Sequence, residues 1–256
     1  MVPPSSFLMS DSTPTPLYES QRLLSEYLLF HYGTAEEILA HPSLPADAVN
    51  FAQRTVTEML PAEISHGGRA LDLGCAVGRS SFELSLHFDE VIGIDYSHNF
   101  IQAANRLLAG ESLPYQRHEE GRHYSTLQAV APQNACSNKI KFAQGDAMQL
   151  PENLGSFDLV HAANLICRLT DPELLLQRLP SLVKSGGWLI LTTPCTWLED
   201  FTPSAKWPSG STLEWLKSHL DSAFELEETK DLPFLIREHS RKYQHTIAQG
   251  SRWRRK

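Results

Sequence analysis

The chain of 256 residues has no apolar run near the roughly 18 residues that a helix needs to span a bilayer, so no transmembrane helix is expected. Cysteine is scarce. Cys75, Cys136, Cys167 and Cys195 include no CxxC pair, and their wide spacing fits neither a disulfide framework nor a zinc knuckle. Basic excess is lacking too: Lys and Arg total 22 against 30 Asp and Glu, a formal charge of −8. That argues against a dedicated nucleic-acid binder, which needs clustered cations to neutralise phosphates. The one basic cluster, Arg252-Trp253-Arg254-Arg255-Lys256, is too short to change this. The eleven histidines show no HExxH or comparable spacing, so no metal site is expected. No Gly-x-Ser-x-Gly elbow points to a serine hydrolase. The Pro/Ser-rich start, Met1 to Ser12, has neither a basic n-region nor an apolar h-region, so no signal peptide is read and a cytoplasmic protein is expected. What is present is apolar material, 41 % of residues, enough for a core and against wholesale disorder. The length fits one large domain, or one domain with appendages.

Periodicity divides the chain in two. Residues 1–62 read as a helical extension. Thr15-Pro16 can open a helix carrying Leu17, Leu23, Leu24, Tyr27, Leu28 and Phe30, and Gly33 can stop it. Thr34-Ala-Glu-Glu37 is a capping box for a short helix ending before Pro42. Asp47 to Leu60 reads as a third helix, with Val49, Ala52, Val56, Met59 and Leu60 as its apolar stripe. Residues 63–256 then alternate. Strands are read at Arg69–Leu73, Glu90–Ile94, Lys139–Gln144, Phe157–Ala163, Gly187–Thr193 and Phe224–Asp231. Helices are read at Val77–His87, Ser97–Ala109, Asp171–Val183 and Ser211–Asp221. Leu232-Pro233 reads as a break, with extended segments at Phe234–His239 and Tyr243–Ala248. This pattern predicts an α/β fold: a mostly parallel Rossmann-like sheet with helices on both faces and an antiparallel edge strand. The insertion at about 110–138 breaks the rhythm, since connections in α/β units are usually about 2–6 residues. It is either a functional cover or flexible surface. Its Tyr115, His118, His123 and Tyr124 favour a partly ordered cover.

The first strand runs into Asp72-Leu-Gly74-Cys75-Ala76-Val-Gly78. Gly74 can turn the chain, Ala76 allows a ligand near the backbone, and Gly78 allows close helix–strand packing. A dinucleotide fingerprint would need a glycine where Arg79 stands. A P-loop would need one more residue and a lysine at that same place. Both match poorly.

The loop resembles instead the [DE]-x-G-x-G-x-G motif of class I S-adenosylmethionine-dependent methyltransferases, with Ala76 at the middle glycine. The likeness continues in register through Gly93-Ile94-Asp95, Gly145-Asp146-Ala147-Met148, Phe157-Asp158 with Asn164 beyond it, and Lys184-Ser-Gly186-Gly187. It implies a seven-stranded sheet and S-adenosyl-L-methionine as cofactor, converted to S-adenosyl-L-homocysteine. Implied cofactor residues are Asp72 (for the ammonium, directly or through water), Gly74, Cys75, Ala76, Gly78, Asp95 (for the ribose) and Tyr96. Asp146, Ala147 and Met148 (for the adenine) and Asn164 complete that set. More narrowly, the chain resembles the 4-mercaptohistidine N1-methyltransferase family of ovothiol biosynthesis. The likeness is carried by Tyr18-Glu19-Ser20, Glu26-Tyr27-Leu-Leu-Phe-His31-Tyr32-Gly33, Asp72 to Ser80, and Phe234-Leu-Ile-Arg237-Glu-His239-Ser-Arg241-Lys-Tyr243-Gln244.

That resemblance implies a methyltransferase acting alone on a small amino acid, with neither nucleic acid nor membrane as partner. Asn164, His31 and Tyr27 are then expected at the reacting groups, with the N-terminal helix as a lid. Tyr18, Tyr32, Arg168, Arg237, His239, Arg241 and Tyr243 are expected to bind the acceptor. Plainer roles compete. Tyr27 has core spacing, His31 can cap a helix, and His161 can be packed or hydrogen-bonded. Arg168 can pair with Asp171 or Glu173, Arg237 to Arg241 can be a solvated edge, and Cys75 can simply pack. The functional alternatives are another small-molecule N- or O-methyltransferase, and a cofactor-binding subunit that does not turn over.

Overall fold

Alternation with a period of two puts successive strand residues on opposite faces. Ala70, Leu159 and Ile190 pack into one apolar cluster, while Leu71, Leu73, Val160, Leu189 and Leu191 pack into another. A sheet buried on both faces, with helices on each, follows from that pattern. The computed structural model describes residues 19–64 and 67–256. In chain order the elements begin with α1 (Gln21–Tyr32), α2 (Ala35–Ile38), α3 (Phe51–Thr57), β1 (Arg69–Leu73), α4 (Arg79–Leu84), β2 (Glu90–Asp95) and α5 (His98–Leu108). Then follow β3 (Leu113–Glu120), β4 (His123–Ala129), β5 (Ile140–Gln144), β6 (Phe157–Ala163), α6 (Pro172–Leu182), β7 (Val183–Thr193), α7 (Thr212–Leu220), β8 (Phe224–His239) and β9 (Lys242–Arg255). The main sheet has seven strands in the order β5-β2-β1-β6-β7-β9-β8. The first five run parallel, and β9 is antiparallel to both neighbours. No helix among the described residues is long and apolar enough to cross a membrane.

The helical extension shares its core with the sheet. Leu28, Leu29, Phe51 and Val56 lie in the same cluster as Ala70, Val77, Phe82 and Phe100. Ser20 caps α1, its hydroxyl accepting from Leu23 N at 3.2 Å. The expected start at Thr15-Pro16 lies outside the described residues. Gly33 ends α1 as expected; a Cβ there would meet Leu29 O at 2.6 Å. The capping box of α2 forms in both directions. The third helix is shorter than expected, because Asn50 adopts a left-handed φ of 57° between a 3-10 turn and α3.

Two readings change in the C-terminal half, and the insertion takes the more ordered of its two readings. β8 runs unbroken through Leu232-Pro233, with Pro233 opposite Ile247. It is the outermost strand, and proline is tolerated where its missing N–H would face an open edge. The basic cluster is no tail but the far half of β9, between β7 and β8. There Trp253 is fully buried, Arg252 pairs with Glu227 and Glu228, and the Arg254 guanidinium lies 3.7 Å from the Trp188 ring centroid. The insertion is an ordered hairpin, β3–β4, laid against α1 and β8.

Candidate active site

Parallel strands bring their carboxyl ends to one edge, and ligands bind there where the strand order reverses. The reversal falls between β1 and β6. Along that edge stand Asp146 after β5, Asp95 closing β2, Gly74 after β1 and Asn164 after β6. The loop from Gly74 to Gly78 carries three left-handed residues: Gly74 at φ 68°, Ala76 at 48° and Gly78 at 88°. A Cβ on Gly78 would stand 2.5 Å from Phe142 Cζ, so the close packing read for it is real. Ala76 N donates to Asp95 Oδ2 at 2.8 Å, and Ser97 N donates to Oδ1 at 2.9 Å. Two amides thus aim the half-buried Asp95 carboxylate. Burial pushes its pKa up to about 6, against the pull of those amides. Asp146 Oδ1 accepts from Met148 N at 2.8 Å, which closes an Asx turn. Met148 Sδ accepts in turn from Asp171 N at 3.4 Å. Ala147 is buried, while Tyr96 is 66 % exposed beside Asp95. Cys75 is buried, and burial raises its thiol pKa well above the usual value, so it packs as a neutral thiol.

Asn164 sits at a left-handed φ of 53°. Its N donates to Thr192 O at 2.8 Å, and its Oδ1 accepts from Thr192 Oγ1 at 3.0 Å. The amide NH2 is then the end with donors to offer. Helix α1 approaches the same loop. Tyr32 Oη donates to Val77 O at 2.7 Å. Tyr27 packs on Phe100 with ring centroids 4.5 Å apart, and His31 stacks on Tyr27 at 5.7 Å. Glu19 fastens the start of α1 to the start of α5, accepting from His98 N at 2.9 Å and Asn99 N at 3.2 Å. Sequence reasoning passed over Glu19, because nothing local signals a capping acid supplied from so far away.

Several expected roles change. Asp72 is 1 % exposed, and both its oxygens are taken, Oδ1 by His161 Nδ1 at 2.8 Å and Oδ2 by Ser81 Oγ at 2.6 Å. Of the two routes read for an ammonium, direct or through water, this burial favours the one through water. His161 is hydrogen-bonded in the core, one of the plain roles read for it. His31 Nδ1 is buried without a hydrogen-bond partner, and burial together with Arg79 pushes the imidazole pKa down to about 3. Near neutrality this favours the neutral ring, with one N–H and one lone pair. His31 does not cap α1, where Gly33 N bonds Leu29 O. Arg168 pairs with neither Asp171 nor Glu173. It donates to Thr196 O at 3.0 Å and lies over the Phe201 ring, while Lys206 takes Asp171.

Of the acceptor residues expected from β8 and β9, Arg237 and Tyr243 act as fasteners. The Arg237 side chain is 3 % exposed, donates to Glu37 O at 3.0 Å and pairs with Glu119. Tyr243 Oη donates to Ile38 O at 3.2 Å and accepts from Ala40 N at 3.1 Å. His239 packs edge-on to His118, and Arg241 is exposed at the turn between β8 and β9. Their partners come from α2 and β3. Tyr18 lies outside the described residues.

Residues 46–243 match the family model described as a methyltransferase domain. The chain belongs to this family. Among curated proteins it is 25 % identical over 134 residues to phosphoethanolamine N-methyltransferase 3 of Arabidopsis thaliana, covering 52 % of this chain and 22 % of that protein. It is 25 % identical over 166 residues to an O-methyltransferase of Pyrenophora dematioidea, covering 62 % and 51 %. The chain thus spans only part of the curated relatives it matches. Among solved structures it is similar to the N-methyltransferase NodS of Bradyrhizobium japonicum in complex with S-adenosyl-L-homocysteine. That likeness has TM-score 0.53 and 16 % identity, over 88 % of this chain and 98 % of that one. It is also similar to the YcgJ protein of Bacillus subtilis, TM-score 0.51 and 13 % identity, over 76 % and 94 %.

This is therefore a methyltransferase domain, and its residues fit S-adenosylmethionine as cofactor. The left-handed loop leaves backbone close to the cleft, Asp95 is pre-aimed for a diol, and Asp146 holds an Asx turn suited to an exocyclic amine.

Proposed function

We propose that the domain methylates a small molecule at nitrogen, and that the acceptor is an imidazole nitrogen of 4-mercaptohistidine. The observation that carries this reading is the bond from Tyr32 to Val77, which lays the aromatic face of α1 on the cofactor loop. The α1 segment is also where the narrower sequence resemblance begins. The neighbouring rings of Tyr27, His31 and Tyr32 beside that loop suit a flat, polar ring. When bound, S-adenosylmethionine supplies a methyl on a sulfonium. Transfer would form the N–C bond as the S–C bond breaks, leave the electron pair on sulfur, and release the acceptor's surplus proton to solvent.

The chain's task is alignment, where effective molarities of about 10⁵–10⁸ M are attainable. Asp95 and Asp146 fix the cofactor's ribose and adenine ends. Asn164 holds the acceptor from the β6 side. An imidazole with a pKa near ~6.5 already carries a free lone pair at neutral pH. Attack therefore needs no strong base, and the low basicity of His31 is no obstacle. The Asn164→Ala variant is expected to lower kcat or raise the acceptor KM while leaving S-adenosylhomocysteine affinity within about twofold. A lost cofactor affinity would remove Asn164 from the acceptor side.

Both N- and O-methyltransferases stand among the relatives, so another small-molecule acceptor is the second reading. Mass spectrometry decides. The protein is incubated under reducing conditions with S-adenosylmethionine and 4-mercaptohistidine, histidine or a metabolite extract. One methyl gained on mercaptohistidine and none on histidine is expected. A methyl found only in the extract favours the second reading. Cofactor binding without any transfer points to a subunit that does not turn over.

A further inference from the structure

Asp72, Ser81, His161 and Thr55 form a continuous hydrogen-bonded chain inside an otherwise apolar layer. Ser81 Oγ donates to Asp72 Oδ2 at 2.6 Å, and Asp72 Oδ1 meets His161 Nδ1 at 2.8 Å. His161 Nε2 meets Thr55 Oγ1 at 3.0 Å, and Thr55 donates to Ala52 O at 3.0 Å. All four residues are at most 1 % exposed, so none offers a surface to a ligand. Stability alone does not explain them, since well-packed apolar residues commonly replace buried ionic groups without loss. Their placement does. Asp72 lies two residues before Gly74, and Ser81 lies three after Gly78, so their bond closes the base of the cofactor loop. His161 stands directly opposite Asp72 in the β1–β6 register, three residues before Asn164. Thr55 is on α3, in the helical extension. A parallel tie from Ser80 Oγ to Ala52 O, at 2.9 Å, joins α4 to the same turn of α3.

We propose that this chain sets the position of the cofactor loop from the helical extension, with His161 as the positioning residue that joins the extension, the loop and the strand leading to Asn164. The proposal rests on the assignment of the loop to S-adenosylmethionine. It makes cofactor affinity depend on Thr55, a residue that meets neither cofactor nor acceptor.

The test is calorimetric binding of S-adenosylhomocysteine to the full chain and to the Thr55→Val, Thr55→Ser and Ser81→Ala variants and the Thr55→Val/Ser81→Ala pair. Each is measured well below its melting temperature. Thr55→Val keeps shape and removes only the hydroxyl. Its Kd is expected to rise about fivefold, and Thr55→Ser should restore it to within about twofold. Ser81→Ala should raise Kd about tenfold. The double variant should fall short of the product of the two, because both act through one chain. Lowered melting temperatures with wild-type Kd in both single variants would overturn the proposal and leave a merely structural role. So would independent, multiplicative effects that Thr55→Ser does not rescue. Failure of the unmodified protein to bind S-adenosylhomocysteine would count against the cofactor assignment itself, and the proposal would fall with it.

Discussion

Asp95 couples binding to pH in a direction that can be worked out. Its folded pKa, about 6, lies above the ordinary value of 3.8. The protonated form is thus favoured by folding, and its contribution to stability, full below 3.8, is lost as pH rises through about 6. Ribose hydroxyls want the opposite form, since they donate to the carboxylate. S-adenosylhomocysteine affinity is therefore expected to weaken as pH falls from 7 to 5, and Asp95→Asn should bind weakly with a flat profile. One charge-assisted bond of about 1.5–3 kcal/mol means a roughly ten- to hundredfold loss, readable by calorimetry. His31 shows the reverse sign. Its pKa is lowered from 6.5 to about 3, so its contribution is present above 6.5 and drains away as pH falls toward 3. Urea midpoints measured across that window should fall less steeply for His31→Phe than for the natural chain. Turnover should show no limb from His31 near pH 6.5.

The elements differ in what holds them. Tyr32→Phe removes the bond from α1 to the cofactor loop and should cost about 0.5–1.5 kcal/mol in a denaturant melt. Arg237→Met should cost more, about 1.5–3 kcal/mol, because it removes a buried charge-assisted pair, while Arg117 still holds Glu119 and Glu37 O and Tyr243 Oη still bonds Ile38 O. Equal losses would show that the β8–β9 end is not fastened through Arg237. That contrast also separates what could be read in the sequence from what could not. The glycine loop, Asp95, Asp146 and the parallel strands are local patterns, and each fell where spacing put it. Arg237 looked like a ligand for an acid because its true partners, the carbonyls of Glu37 and Ile38, lie some 200 positions away in the chain. The bonds of Asp72 were hidden for a like reason, since strand alternation alone does not say that His161 on the neighbouring strand β6 will reach it. Pro233 marked a break only until β8 proved to be the outer strand.

At the scale of the whole molecule, the extension is part of the core and not only a lid. Leu28 and Leu29 are 2 % and 5 % exposed. Each is worth about 1.5–3 kcal/mol when buried, against a total stability of roughly 5–15 kcal/mol for a domain. Deleting residues 1–33 is expected to unfold the protein, visible as loss of a cooperative circular-dichroism melt. A truncated chain that melts cooperatively while losing turnover would restore the simple lid. The sheet's order has a further consequence, for biosynthesis. β9 lies between β7 and β8, yet it is translated after both. As the chain leaves the ribosome, β7 therefore waits with an open hydrogen-bonding edge until Arg255 is out. In that interval any extended segment can take the vacant place, so the nascent chain is a natural client for chaperones that shield exposed strands.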